Sequence, residues 1–498
     1  MRQFFGIVLF GFGLIAVSAA FAQSTRNPMA PRLQLRAVEQ GEPTLRDALN
    51  DESVQASLAA HVRGIDTRNP FATYRDFRLT APLGGEVEEF EGAEFRTLRP
   101  SELDALQARG TGNAPRRLQP GVTTPPQPDT QLGPIQARPV DRGDGRPHLD
   151  VNGFATQLHA LLSNNVNGYV MRLRQHGQTI YTLQWNWAQR PEDAGLGWNP
   201  NRRQHVASVS KLVTAMGLAH MLDAQGIDFD TPIIDYLPDY WQTGPNIENI
   251  TFAHLMNHIS GFHGEASGNS NFILMRSRVA QGVPANDVGN WGTADYENMN
   301  FGLCRILMAT LGGSIDTDAT FGTFTDVIWN WISIVAYANY INDNIFAPAN
   351  VGGPVLANTS DGARAYAWND TGQGWDSGVL TNEAGGAGWH MSADEILDVV
   401  GEFRRGGGIV SSQRAMEILN ASYGLNSPPG GFPAPTGTFF YKMGRWWNGP
   451  PDLQAEQSVV MVLPEDMELV VLVNSPLGPN DVLLQDLVGT VYLVNIVE

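Results

Sequence analysis

All 12 tryptophans of the 498-residue chain fall between Trp185 and Trp447, and this concentration decides where a core can be built. Large aromatic side chains supply much of the buried apolar area that offsets the loss of chain entropy on folding. Residues 23–150 contain no tryptophan but hold 14 of the 31 prolines and 16 arginines, with the run Thr123-Thr124-Pro125-Pro126-Gln127-Pro128 towards their end. That stretch reads as a Pro/Arg-rich, largely linker-like segment. Short helix-like pieces within it, such as Thr44 to Val62, have the apolar residues to dock on a larger body. The folded domain is expected over residues 151–498.

Charge and cysteine content narrow the chemistry. Lys plus Arg is 32 against 51 Asp plus Glu, a formal net charge of −19, which opposes binding to nucleic acid or anionic lipid. Cys304 is the single cysteine, so an internal disulfide and a Cys-based zinc cluster are both excluded. Arg2 precedes an apolar run from Phe4 to Val17, and Ala20-Phe21-Ala22 offers the small residues that a signal peptidase reads. Gly6, Gly11 and Gly13 interrupt that run, which is also short for a bilayer span. Residues 1–22 therefore read as a cleaved secretory signal. The mature chain is expected in the periplasm or outside the cell, with no stable membrane insertion.

Within residues 151–498, Phe154 to Leu162 predicts a helix, and Tyr169 to Arg174, His176-Gly177-Gln178 and Thr179 to Trp187 predict strand, turn and strand. Ser458 to Leu463, Pro464-Glu465-Asp466 and Leu469 to Val473 repeat that pattern near the C-terminus, before a closing helix at Val482 to Val494. The middle, from Ser208 to about Gly407, carries helical patterns at Lys211 to Gln225, Trp329 to Asn344 and Ala393 to Arg404, separated by Gly-rich loops. The fold class is α/β: an antiparallel sheet built from both ends of the domain, flanked by helices, with a mostly helical insert.

The chain has 30 arginines but only two lysines, Lys211 and Lys442. Arginine is effectively never deprotonated, whereas a buried lysine can lose its proton. A chain that uses arginine almost everywhere keeps lysine where a neutral amine is needed. Lys211 follows Ser208 by three residues at the start of the helix through Leu212, Met216 and Ala219, so the two share a helix face. The amine can then take the hydroxyl proton, and the helix N-terminus favours the developing negative charge. Ser-x-x-Lys alone is a weak signal, because an N-capping serine gives the same spacing.

In combination the residues say more. His205-Val206-Ala207-Ser208-Val209-Ser210-Lys211-Leu212, Tyr296-Glu297-Asn298 and Lys442-Met443-Gly444 resemble, in order, the Ser-x-x-Lys, Tyr-x-Asn and Lys/His-x-Gly motifs of serine β-lactamases, penicillin-binding proteins and related esterases. Leu255 to Phe262 and Gly385-Gly386-Ala387-Gly388 fit as well, and the resemblance spans roughly residues 151–498. It implies the β-lactamase/transpeptidase-like fold and an acyl-enzyme on Ser208. Lys211 and Tyr296 would act together as general base and then acid, the phenol pKa lowered by two nearby ammonium groups. Asn298 would orient Lys211 or the substrate. Lys442 would bring positive potential on the final strand, and Gly444 would let substrate lie close to it. The N–H groups of Ser208 and Arg445 would form the oxyanion hole.

The third motif departs from the pattern at Met443, where penicillin-recognising members carry Thr or Ser. With Arg445, Trp446 and Trp447 beside it, Met443 suggests a bulky apolar wall and a cation, suited to an ester, amide or peptide rather than a β-lactam. The alternative is a ligand-binding module for cell-wall peptides on the same fold. His254, His258 and His263 lack the Glu of a zinc helix motif, so no metal and no cofactor is expected. The partner is a small-molecule or peptide substrate.

Overall fold

Alternating apolar runs flank His176-Gly177, and a hairpin forms there: β1 (Gly168–Gln175) and β2 (Gln178–Gln189) pair antiparallel. His176 and Gly177 take φ values of 50° and 73°, and two left-handed residues give the turn the twist that a tight hairpin needs. Short strands β3 (Leu196–Gly197), β4 (Gln204–His205) and β5 (His390–Met391) follow. The C-terminal part supplies β6 (Phe432–Ala434), β7 (Gly437–Asn448), β8 (Gln454–Leu463) and β9 (Met467–Val473). Because β9 pairs with β1, both ends of the domain join in one seven-stranded antiparallel sheet of order β3-β2-β1-β9-β8-β7-β6. β4 and β5 pair with each other apart from it.

The computed structural model describes residues 44–66, 96–108, 146–263, 270–368, 372–449, 454–478 and 482–498; the signal expected at residues 1–22 lies outside them. Pro43–Glu498 belong to one compact unit. Parts of the stretch expected to be largely linker are built into it. Helices α1 (Leu45–Leu49) and α2 (Glu52–His61) place Leu45, Ala48, Val54 and Leu58 in the main core, and Val62 bridges to Ile315. Helix α3 (Pro100–Ala108) adds Leu106, and Leu98 before it, to the core behind the sheet. Residues three or four apart share a helix face, so a few well-spaced apolar side chains suffice for docking.

Helix α4 (Val151–Leu162), capped by Asp150, starts the larger part of the domain. The insert then holds α5 (Ser210–Gln225), α6 (Phe252–Met256), α7 (Phe272–Gln281), α8 (Asn298–Leu311), α9 (Thr325–Ile341), α10 (Ala393–Gly401) and α11 (Ser412–Asn420), and α12 (Leu484–Val494) closes the chain. The helices expected to reach Asn344 and Arg404 instead give way to single π-helical turns, Asn342–Phe346 and Glu402–Gly406. Strand alternation splits the sheet between two cores. Tyr169, Met171 and Leu173 pack with α4 and α12, whereas Val170, Val470 and Leu472 face the helical insert. Ion pairs from Arg172 and Arg174 to Asp394 and Asp398 fasten α10 to the insert side. That side carries the candidate site.

Candidate active site

Ser208 sits where the chain leaves β4 and turns into α5. One 3-10 turn, Ala207–Val209, makes the connection, and Ala207 takes a left-handed φ of 46°, a strained choice for a residue with a Cβ. Strand β7 closes on this turn. A Cβ on Gly444 would lie 2.2 Å from the Val206 carbonyl oxygen and 2.9 Å from the Ser208 nitrogen, so only glycine lets the strand come this near. The Ser458 hydroxyl donates to the same Val206 carbonyl at 2.7 Å, pinning the turn to the sheet. Arg445 follows Gly444 beside this turn, its guanidinium 5.0 Å from the centroid of the Trp447 ring.

Lys211 is the second residue of α5 and is fully buried. Its Nζ donates to Ser208 Oγ at 3.0 Å, Asn298 Oδ1 at 2.6 Å and the Gly386 carbonyl at 2.8 Å, which uses all three ammonium protons. Burial lowers its pKa to about 7, with the Glu383 carboxylate pulling the other way. Tyr296 and Asn298 straddle the start of α8. The Tyr296 ring lies between the two lysines, its centroid 4.9 Å from Lys211 Nζ and 5.0 Å from Lys442 Nζ. Lys442 donates to the Tyr296 oxygen at 3.3 Å, and the Ser208 hydroxyl is a further hydrogen-bond partner of that oxygen.

Ser208, Lys211, Tyr296, Asn298 and Lys442 thus meet in one buried cluster, with Gly444 against its edge. Two electrostatic expectations fail. The Tyr296 phenol is pushed well above its ordinary value, because burial penalises the phenolate. Burial also drives Lys442 well below its ordinary pKa, with Lys211 adding to the effect. Desolvation of the phenol therefore outweighs any help from the two neighbouring lysines. Nor is the Lys442 strand the final one, since β8 and β9 follow it. The group with a pKa suited to accept a proton at neutral pH is Lys211.

The beta-lactamase family model matches residues 154–490, which contain all these groups. The chain belongs to the beta-lactamase family. PbpX of Bacillus subtilis (strain 168), named as a penicillin-binding protein, is 24% identical over 156 residues, 31% of this chain and 32% of that protein. The match therefore spans about a third of the relative's length. FmtA from Staphylococcus aureus resembles the chain in fold with a TM-score of 0.51 at 15% identity, over 68% of this chain and 89% of FmtA. A class C beta lactamase from Rhodobacter sphaeroides aligns with a TM-score of 0.49 at 17% identity, over 68% of this chain and 97% of its own. For this beta-lactamase-family chain, the likeness to FmtA shows the shared fold.

The apolar wall differs from the one expected for this beta-lactamase-family domain. Met443 belongs to the core on the far side of the sheet, with Tyr441, Val459 and Met461. Side chains alternate along β7, so Lys442, Gly444 and Trp446 share the site face. Trp446 packs with Ala207, Leu380 and Ala387, and Trp375 lies against them. The three histidines also separate. His254 accepts the Thr251 N–H, His263 lies between Asp287 and Asp295 at 3.1 and 3.2 Å, and His258 stacks on Tyr296. Sequence reasoning missed His258 and Glu383 as neighbours of the site. The matching stretches Leu255 to Phe262 and Gly385 to Gly388 mark the regions, but tertiary packing is what turns them inward.

Proposed function

We propose that this chain is an exported serine hydrolase that forms an acyl-enzyme on Ser208 with an ester, amide or peptide substrate. The Lys211 amine 3.0 Å from the Ser208 hydroxyl, buried and with a pKa of about 7, carries this reading. In its neutral form Lys211 takes the hydroxyl proton as Ser208 Oγ bonds to the substrate carbonyl carbon. The carbonyl π electrons move to oxygen, and the N–H groups of Ser208 and Arg445 receive that oxyanion. Collapse breaks the bond to the leaving group, which takes the proton from Lys211 by way of the Tyr296 hydroxyl. Water then repeats the sequence on the acyl-enzyme and releases the acid. Asn298 keeps Lys211 directed at Ser208, and Lys442 holds the Tyr296 oxygen. Trp446, Leu380 and Ala387 offer an apolar surface to one side of the substrate.

Residues 1–22 direct export to the periplasm or beyond in this reading, and residues 151–498 hold the hydrolase. Intact mass after exposure to a fluorophosphonate tests the proposal. One adduct on the wild-type chain and none on Ser208→Ala is the expected result. No adduct under conditions that label another serine hydrolase overturns it in favour of a ligand-binding module.

A further inference from the structure

We propose that His258 is the positioning residue for Tyr296: it holds the phenol between Lys211 and Lys442 while taking no part in proton transfer itself. This rests on the serine-hydrolase reading above. The His258 carbonyl accepts the Asp295 N–H at 3.1 Å, and its ring Nδ1 accepts the Glu297 N–H at 3.2 Å. Those are the peptide N–H groups immediately before and after Tyr296, so one residue fixes the backbone on both sides of the phenol. The imidazole also lies flat on the Tyr296 ring, with centroids 4.2 Å apart and planes 26° from parallel. His258 takes a left-handed φ of 57°, a conformation more common for His than for most side chains, and this turns the residue's carbonyl and ring towards the same short segment.

The hydrogen bonds also settle the protonation of this ring. Asn300 Nδ2 approaches the same Nδ1 at 3.2 Å, while Asn300 Oδ1 accepts from the Ser260 hydroxyl at 2.7 Å. An Nδ1 facing two donors is unprotonated, which assigns the proton to Nε2 and leaves the ring neutral. Burial and the two nearby lysines oppose a second proton. A neutral aromatic plate against Tyr296 fixes its position without adding a charge that would compete with Lys211.

Two variants of the full-length chain separate the ring from the acceptor. His258→Asn keeps an acceptor near the Nδ1 position and tolerates left-handed φ, but removes the stacked ring. His258→Phe keeps a ring and removes the acceptor. With p-nitrophenyl acetate and butyrate, kcat is expected to fall about tenfold or more in each, since a small misplacement of a reacting group is costly. KM should stay within about twofold, and the fraction of Ser208 that fluorophosphonate labels at completion should match wild type. A kcat for His258→Asn within about twofold of wild type overturns the proposal, as does a loss of kcat matched by an equal loss of labelled protein. If His258→Phe does not fold, His258→Asn decides alone. A wild-type chain that is neither labelled nor active defeats the serine-hydrolase reading and this proposal together. Wild-type turnover with an unaffected His258→Asn defeats this proposal only.

Discussion

Gly444 approaches Ser208 so closely that a methyl group in place of its α-hydrogen would stand 2.9 Å from the Ser208 nitrogen and 2.2 Å from the Val206 carbonyl oxygen. Both contacts are with backbone, which cannot swing aside as a side chain can. Gly444→Ala must therefore move β7 away from the turn that carries Ser208. Displacing one donor from the position of a developing oxyanion costs about 10²-fold or more in kcat. The expected outcome is that loss in ester hydrolysis with a destabilisation of about 1–3 kcal/mol from overpacking, read by urea melts. Activity near wild type would place the oxyanion elsewhere.

The pH dependence follows from Lys211. Its pKa of about 7 is set by burial and held up by Glu383, so kcat/KM should rise through an acid limb near neutral pH as the amine loses its proton. Glu383→Gln removes the carboxylate that stabilises the ammonium, and the limb should move down by about one unit. A limb that moves up, or stays, counts against Lys211 as the base. Stability carries a related sign. The unfolded lysine keeps its proton to 10.5 but the folded one only to about 7. Between those values the unfolded chain binds more protons, so the Lys211 contribution to stability rises with pH across that window.

Much of this was legible in the chain before its structure. Apolar runs on both sides of a turn located β1 with β2 and β8 with β9, partly alternating in the first pair and continuous over Val459 to Leu463 and Leu469 to Val473, where both faces of the strand are buried. The spacing of Ser208 and Lys211 placed both on one helix face. Tyr296 and Lys442 lie far away in sequence, and only the family pattern linked them to Ser208. Burial was not legible. The expected low pKa of Tyr296 rested on two nearby ammonium groups and left out burial, whereas the residues share a closed interior that disfavours the phenolate. Gly385 to Gly388 fitted the family pattern with no role attached, and the fold carries the Gly386 carbonyl to Lys211 Nζ at 2.8 Å.

The docked N-terminal helices predict that residues 44–108 stabilise the domain. Leu45, Val54 and Leu58 are each nearly fully buried in the main core, and Leu98 and Leu106 belong to the core behind the sheet. Arg63 adds a bidentate pair with Asp316 at 2.6 and 3.1 Å. Each buried leucine or valine is worth about 1.5–3 kcal/mol relative to exposure. A chain starting at residue 146 should unfold at clearly lower urea than one starting at residue 43 and bind more of an apolar dye in its native state. Equal urea midpoints would show that the helices rest on the surface without contributing to the cores.

Met443 gives the sharpest test of how the third motif is read. Restoring the hydroxyl of penicillin-recognising relatives by Met443→Thr should not create a carboxylate-binding group in the site, because position 443 faces Tyr441, Val459 and Met461 across the sheet from Ser208. The change trades a buried apolar side chain for a smaller one with an unpartnered hydroxyl. A cost of about 2–5 kcal/mol is expected from the lost packing and the polar burial. Measured against nitrocefin, turnover by Met443→Thr should equal that of the wild type once corrected for folded protein. A gain in β-lactam turnover would mean that β7 can rotate its face towards the site.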